Sequence, residues 1–187
     1  MKCAMCELLD ADANVCSVAN CTPLLIQQND GSGLNRSWAE FKVGFGDPSG
    51  NYWLGNELIH ELTANNRYKL RFLLQSWYDR NWYYAEYSTF IVLSEAVNYT
   101  MVVAWYSGNA SFDALGGQSG RMFSTYDREN DLYSPLNCAS YIGGGFWYDN
   151  CGLCRVNAAR SRSFYFTWYR LPGGGDLQSS QMWLQCK

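Results

Sequence analysis

The sequence predicts an antiparallel β-sheet with a short helix packed against it, followed by a long irregular region. The helix is predicted over residues 56–66, where apolar residues recur at helical spacing between Asn at the start and Asn-Asn at the end. After Ser107 short glycine clusters mark turns, until residues 181–187 return to strand-like alternation and are expected to rejoin the sheet. Three runs of β-branched and aromatic residues separated by polar turns are typical of strands in a meander: YKLRFLL (68–74), WYYAEYSTFIV (82–92) and YTMVVAWY (99–106).

The length and charge of the chain limit its organisation and its partners. Its 187 residues suffice for one domain or two closely joined subdomains. The net charge is -3 and no block of Lys and Arg occurs, so the sequence predicts no surface for nucleic acid. No apolar run is long enough for a membrane span, and none is predicted.

Cysteines and glycosylation sequons favour an extracellular protein. Eight cysteines occur together with N-x-[ST] sequons at Asn35, Asn98 and Asn109, and this combination indicates disulfides formed in the secretory pathway. Zinc is the alternative, because two C-x-x-C pairs are present, although they lie far apart in the sequence. The first residues start like a signal peptide but are interrupted by acids, so any signal sequence is expected outside this chain. We therefore predict a secreted protein.

The segment FSTYDRENDLYSPLNCA (residues 123–139) places acids at alternate positions, Asp127, Glu129 and Asp131. Alternate side chains of an extended backbone can face one side, so the three carboxylates could converge. Converging carboxylates repel one another unless a cation is present, and Ca²⁺ prefers carboxylate, carbonyl and water oxygens. The alternative is a solvated turn whose Asp and Asn side chains bond their own backbone. The residues of this segment alone leave both interpretations open.

Four ordered motifs closely resemble the fibrinogen-like domain, the globular C-terminal module of fibrinogen chains, ficolins, tachylectins, angiopoietins and tenascins. The resemblance runs from about residue 26 to residue 187, and NDGSGLNRSWAEFKVGFGD upstream of the first motif shares it. The motifs are GFGDPSGNYWLGNELIHELT (44–63), YSGNASFDAL (106–115), FSTYDRENDLYSPLNCA (123–139) and GGGFWYDNC (143–151).

The resemblance implies an α+β fold with a central twisted antiparallel sheet, short helices and a loop-rich C-terminal subdomain that carries calcium and the ligand pocket. On this basis residues 1–25 form a divergent Cys-rich N-terminal segment and residues 26–187 form the fibrinogen-like domain. Within that domain the N-terminal part and the sheet occupy residues 26–118, the loop-rich subdomain 119–181, and a strand returning to the sheet 182–187.

The resemblance also implies a calcium site in the acidic segment. Two departures from the family pattern are present: Glu stands at the position of an Asp, and one extra residue precedes the following cysteine. A glutamate is one methylene longer, so we expect the site to close less tightly around Ca²⁺. Carried over position by position, the ligands are the side chains of Glu129 and Asp131, with Asp127 beside them, and the carbonyls of Tyr133 and of Ser134 or Pro135.

A ligand pocket is implied beside the calcium loop. Gly152 stands where sugar-binding members have a histidine, and the chain after Ala158 is much shorter than in the family, so the pocket is expected to be shallower or rebuilt. The candidate ligand contacts are Tyr148, Asn150, Cys151, Gly152 and Tyr165.

The family pattern implies a disulfide between Cys138 and Cys151. We further predict a bond between Cys154 and Cys186, which would tie the pocket segment to the last strand. The four cysteines before residue 22 match no family position one by one.

The sequence predicts a non-enzymatic recognition module. His60 is the only histidine and is expected to satisfy a buried hydrogen bond in the predicted helix, and no nucleophile motif is present. The first hypothesis is a secreted, calcium-stabilised, lectin-like protein of innate defence that binds glycans or acetylated groups. It is weakly favoured by Tyr148 and by the many aromatic residues. The alternative is a protein-binding module, as in fibrinogen polymerisation, matrix interactions or receptor ligands of the angiopoietin type. Any homo-oligomer is expected to form through regions outside this chain.

Overall fold

A computed structural model describes residues 22–160 and 166–187, and its central feature is a seven-stranded antiparallel sheet. Its strand order is β2-β3-β1-β7-β4-β5-β6, and neighbouring strands pair antiparallel throughout. With the short helices described below, this architecture confirms the α+β fold. The strands are β1 (Leu24–Asn29), β2 (Phe45–Gly46), β3 (Tyr52–Trp53), β4 (Tyr68–Ser76), β5 (Trp82–Val92), β6 (Met101–Gly108) and β7 (Leu177–Cys186).

The meander β4-β5-β6 corresponds to the three runs recognised in the sequence. Its pattern is clear because one face of the sheet is covered: Leu70, Phe72 and Leu74 of β4 are fully buried, while the residues between them are half-buried. Such alternation is the signature of a strand with one face against a core.

The C-terminal strand β7 lies in the middle of the sheet, between β1 and β4. It begins at Leu177, earlier than the sequence indicated, and its length lets it pair with both neighbours. The segment before it is therefore anchored directly to the centre of the fold.

The described residues also form three short α-helices: α1 (Trp38–Val43), α2 (Asn56–Thr63) and α3 (Cys138–Ile142). A capping box between Ser37 and Glu40 begins α1. Helix α2 is shorter at its C-terminus than predicted. In that helix His60 Nδ1 donates to the carbonyl of Val92 at 2.7 Å, which is the structural role expected of this histidine. None of the helices in the described residues has the length and apolar character needed to cross a bilayer.

A buried amide network joins the sheet to the segment that carries the candidate site. Gln27 Nε2 donates to Asn157 Oδ1 and to Ser180 Oγ, each at 3.0 Å. Asn29 Nδ2 donates to the carbonyls of Val156 and Ala158, each at 2.9 Å. Because buried amides are costly when unpaired, this network fixes residues 156–158 against β1 and β7.

Candidate functional site

The acidic loop (residues 127–137) is folded by one of its own carboxylates. Asp131 accepts hydrogen bonds from the backbone N–H groups of Tyr133, at 3.1 Å, and Cys138, at 3.0 Å. Cys138 is the first residue of α3, so Asp131 ties the loop to a helix start, where backbone donors lack intrahelical partners. This carboxylate therefore organises the loop.

Asp127 is bound to residues outside the acidic loop. Its Oδ1 accepts from the backbone N–H of Trp38 at 2.9 Å and from Thr125 Oγ1 at 2.7 Å. Trp38 begins α1, whose first N–H groups favour a carboxylate partner. The expected convergence of three acids is thus corrected: the described residues contain no cluster of three metal-ligating side chains.

The remaining groups of the loop fit a hard cation. Glu129 is exposed, and the carbonyls of residues 131–135 accept no hydrogen bond from any described residue. These carbonyl oxygens, which include those of Tyr133, Ser134 and Pro135, match the ligand chemistry of Ca²⁺ together with the Asp131 side chain. Beside the loop, the Asp149 carbonyl accepts from Leu132 N–H at 2.8 Å, and Asp149 Oδ1 is buried with no partner among the described groups. Sequence reasoning missed this acid, which follows directly after the GGGFWY run.

Tyr148 lies in the core and not in a ligand pocket. The residue is fully buried, its hydroxyl donates to the carbonyl of Gly144 at 2.8 Å, and burial raises its pKa. The prediction that Tyr148 contacts a ligand is therefore corrected, because both its ring and its hydroxyl serve the core.

Gln118 fills the space behind Gly152. Its Nε2 donates to the carbonyl of Trp147 at 2.6 Å, and its Oε1 accepts from the N–H of Cys154 at 3.3 Å. A Cβ on Gly152 would lie 2.8 Å from Gln118 Cδ. Cys151 and Gly152 both have positive φ, 57° and 58°. Glycine is therefore also favoured at position 152 because it adopts this left-handed conformation without steric cost. Sequence reasoning missed Gln118, because no pattern around it indicates burial.

We expect the change Gly152→His to destabilise the protein by about 2–3 kcal/mol, because it adds left-handed strain and its collision with the Gln118 amide displaces the buried hydrogen bonds of that amide. Urea unfolding of the variant and the parent protein measures this difference. Asn150→His is the control, because Asn150 is exposed, and it is expected to change stability by less than about 0.5 kcal/mol. Equal stability of the two variants would contradict the collision.

The structure contains the disulfide between Cys138 and Cys151, with their Cα atoms 5.1 Å apart. The predicted bond between Cys154 and Cys186 is wrong: Cys154 is a buried free thiol, whereas Cys186 is in another disulfide. The physical reason is that the two cysteines lie at different places in the fold. Cys154 lies beside Trp168, and Cys186 lies at the far end of β7, opposite Tyr68.

The three sequons differ in their surroundings. Asn35 and Asn109 are exposed, although Asn109 Oδ1 accepts from the N–H of Tyr84 at 2.7 Å. Asn98 is half-buried, and its Oδ1 accepts from Arg128 at 2.6 Å. An N-linked glycan would attach at Asn98 Nδ2, which donates to Met122 Sδ at 3.1 Å, so glycosylation would have to displace this contact. The candidate ligand residue Tyr165 lies outside the described residues.

A cavity of about 370 Å³ lies between the chain after Cys151 and the chain before β7. Its two sides are joined by hydrogen bonds from Arg155 N–H to the Thr167 carbonyl, at 2.9 Å, and from Tyr169 N–H to the Leu153 carbonyl, at 3.1 Å. Of the predicted ligand contacts in the described residues, Gly152 lines it. The lining residues are Gly152, Leu153, Arg155, Thr167, Tyr169, Arg170 and Gly175.

Comparison with known proteins places this geometry in a family. Residues 14–183 match the C-terminal globular domain of fibrinogen beta and gamma chains. Angiopoietin-4 of Bos taurus is 42% identical over 135 residues, which cover 71% of this chain and 27% of that protein. The chain thus corresponds to about a quarter of that relative.

Two solved structures share the fold. The fibrinogen-like globe domain of human ANGPTL2 has a TM-score of 0.78 and 32% identity, covering 88% of this chain and 80% of that one. Lamprey fibrin D-dimer, complexed with the peptide Gly-His-Arg-Pro-amide, has a TM-score of 0.72 and 27% identity, covering 86% and 60%. The chain belongs to the family of the C-terminal globular domain of fibrinogen beta and gamma chains.

Proposed function

We propose that this chain is the recognition head of a secreted protein and that it binds protein partners without catalysing a reaction. The observation that carries the proposal is the similarity to angiopoietin-4 and to the ANGPTL2 globe domain. Angiopoietin-4 belongs to the class of receptor ligands that is the protein-binding alternative to a lectin. The disulfide between Cys138 and Cys151 supports an oxidising, extracellular location.

The site supports protein binding over the glycan hypothesis that the sequence first favoured. That hypothesis relied on Tyr148, whose ring and hydroxyl are used in the core. The histidine position of sugar-binding members is Gly152, backed by the Gln118 side chain, so no hydrogen-bonding side chain projects there. The only histidine, His60, is bound to the Val92 carbonyl, which supports a non-catalytic function.

The proposal is tested with tetramers of the chain assembled on streptavidin, because several linked heads compensate for weak single contacts. Cells are stained before and after surface proteolysis, and separately after removal of N- and O-linked glycans. Staining that is lost on proteolysis and kept after deglycosylation is expected. Staining that survives proteolysis and is lost with the glycans would instead support the lectin hypothesis.

We further propose that Ca²⁺ stabilises the acidic loop, held by the side chains of Glu129 and Asp131 and by carbonyls from residues 133–135. The ion would supply positive charge that draws these oxygens together and stiffens the loop. The unpaired carbonyls and the exposed Glu129 support this assignment.

Calcium is expected to raise the melting temperature of the parent protein, and Glu129→Gln is expected to abolish most of that rise, because it removes a carboxylate ligand. Differential scanning calorimetry with and without Ca²⁺ measures the shift. Asp127→Asn is the matched control: it changes the same charge in the same loop but at a carboxylate bound to Trp38 N–H, so the calcium-dependent rise should persist. Loss of the rise in both variants would contradict the ligand assignment.

A further inference from the structure

The cavity between the chain after Cys151 and the chain before β7 carries two arginines, one on each of these segments. Arg155 lies on the segment after Cys151, and Arg170 lies on the segment before β7. Arg155 is half-buried, and its Nε donates to the carbonyls of Cys151 and Gly152, each at 3.2 Å. These two bonds fix the guanidinium, and its terminal N–H groups donate to none of the described residues.

Arg170 is held by aromatic rings instead of by acids. Its guanidinium carbon lies 5.2 Å from the ring centre of Tyr169 and 5.7 Å from that of Phe112. Stacking of this kind uses the flat face of the guanidinium and leaves the edge, with its N–H donors, free for a planar anion.

Neither arginine forms an ion pair with an acid of the described residues. The ion pairs within residues 22–160 and 166–187 involve other cations. The acids nearest along the described chain are Asp149, which forms no ion pair, and Asp176, which accepts from the hydroxyl of Tyr78 at 2.8 Å. Arg155 is half-buried whereas Arg170 is exposed, so it is for Arg155 that the lack of an anion is unfavourable and that a ligand carboxylate would bring relief.

We propose that this cavity binds a carboxylate side chain of the protein partner between Arg155 and Arg170. This inference rests on the proposed function and specifies the chemistry of the partner. The planar forks of the two arginines match a carboxylate, and the Thr167 hydroxyl and Tyr169 add polar and aromatic lining. A volume of about 370 Å³ suits one acidic side chain and its adjoining backbone. The proposed ligand is acidic and therefore opposite in charge to the amide-capped, Arg-containing peptide found with lamprey fibrin.

The test uses the full chain with ¹⁵N-labelled arginine and follows the Nε–H signals by NMR. The probe is the peptide acetyl-Gly-Glu-Gly-Glu-Gly-amide at millimolar concentrations, and its glutamine counterpart is the uncharged control. Saturable shifts of the Arg155 and Arg170 signals are expected with the glutamate peptide alone. The double variant Arg155→Ala/Arg170→Ala is expected to bind it at least tenfold more weakly.

Arg67→Ala is the matched control variant. Arg67 is exposed and precedes β4, while the cavity segment contacts the other end of that strand, where Ser76 Oγ donates to the Gly173 carbonyl at 3.1 Å. This variant removes one positive charge remote from the cavity and is expected to bind as the parent does. Equal weakening by Arg67→Ala, equal binding of the glutamine peptide, or absence of saturable shifts would overturn the proposal. Binding of a sulfated disaccharide without binding of the glutamate peptide would also overturn it.

Tetramer staining separates this inference from the proposed function. Protease-sensitive staining that the Arg155→Ala/Arg170→Ala variant loses supports both. Protease-sensitive staining that the variant keeps overturns the cavity assignment alone. A positive peptide titration combined with protease-resistant staining overturns the proposed function and leaves carboxylate binding by the cavity intact.

Discussion

Replacing Trp147 with alanine is expected to lower the free energy of unfolding by about 3–5 kcal/mol. The indole is fully buried, and its ring centre lies 5.1 Å from that of Phe123 and 6.0 Å from that of Trp53. Its Nε1–H also donates to the carbonyl of Tyr99 at 2.6 Å. The substitution therefore opens a large cavity and leaves a buried acceptor unpaired, and each effect is destabilising.

Urea unfolding followed by circular dichroism measures the loss of stability caused by Trp147→Ala. Trp147→Phe keeps a ring and removes the Nε1–H donor, so a smaller loss of about 1–2 kcal/mol is expected even if the alanine variant does not fold. Trp105→Ala is the control, because Trp105 is 79% exposed, and it should change stability by less than about 0.5 kcal/mol. Similar losses at the two tryptophans would show that the core around Trp147 is looser than its ring contacts indicate.

The parts of the sheet that the sequence predicted are those where alternation is long and one face is apolar. Strands β2 and β3, at Phe45–Gly46 and Tyr52–Trp53, are too short to show a period. The start of β7 was missed because Ser180 occupies a buried position, where its hydroxyl donates to the Val156 carbonyl at 3.0 Å. A polar residue whose partner lies far along the chain breaks the expected pattern without breaking the strand.

The site was less predictable, because its properties depend on contacts between distant segments. The spacing of Asp127 from the other acids indicates convergence, yet its carboxylate is bound by Trp38 N–H, far earlier in the sequence. Nothing local to Tyr148 reveals that its hydroxyl is used by Gly144. The motifs were sufficient to identify the family, whereas the orientation of each polar side chain required the folded chain.

The cationic cavity has no signature in the sequence. Arg155 and Arg170 lie in irregular segments with no common period, and only the bridge between Cys154 and Trp168 brings those segments together. Two isolated arginines in loops ordinarily indicate solvated surface. Their significance arises from the fold, which places them on one cavity without an acid from the described residues.

The Cys138–Cys151 disulfide couples the acidic loop to this cavity, and its removal is expected to affect both. Cys138 begins α3, where its N–H is bound by Asp131, and Cys151 supplies a carbonyl to Arg155. The bond closes a loop with a sequence separation of 13, for which the loss of unfolded-state constraint is worth about 3 kcal/mol. We expect Cys138→Ala/Cys151→Ala to lose stability by about this amount.

The stabilisation by Ca²⁺ that we propose should also be smaller in this double variant, because the loop is no longer held to the segment that carries Gly152 and Arg155. Calorimetry with and without Ca²⁺ measures both effects in one experiment. Cys154→Ala is the control: it removes a buried thiol that forms no disulfide, so it should cost about 1 kcal/mol and leave the calcium response unchanged. If the double variant kept the full calcium-dependent rise in melting temperature, the loop would be ordered independently of the disulfide. The cavity and the acidic loop would then be independent sites, because breaking the disulfide between them would not change how the loop responds to Ca²⁺.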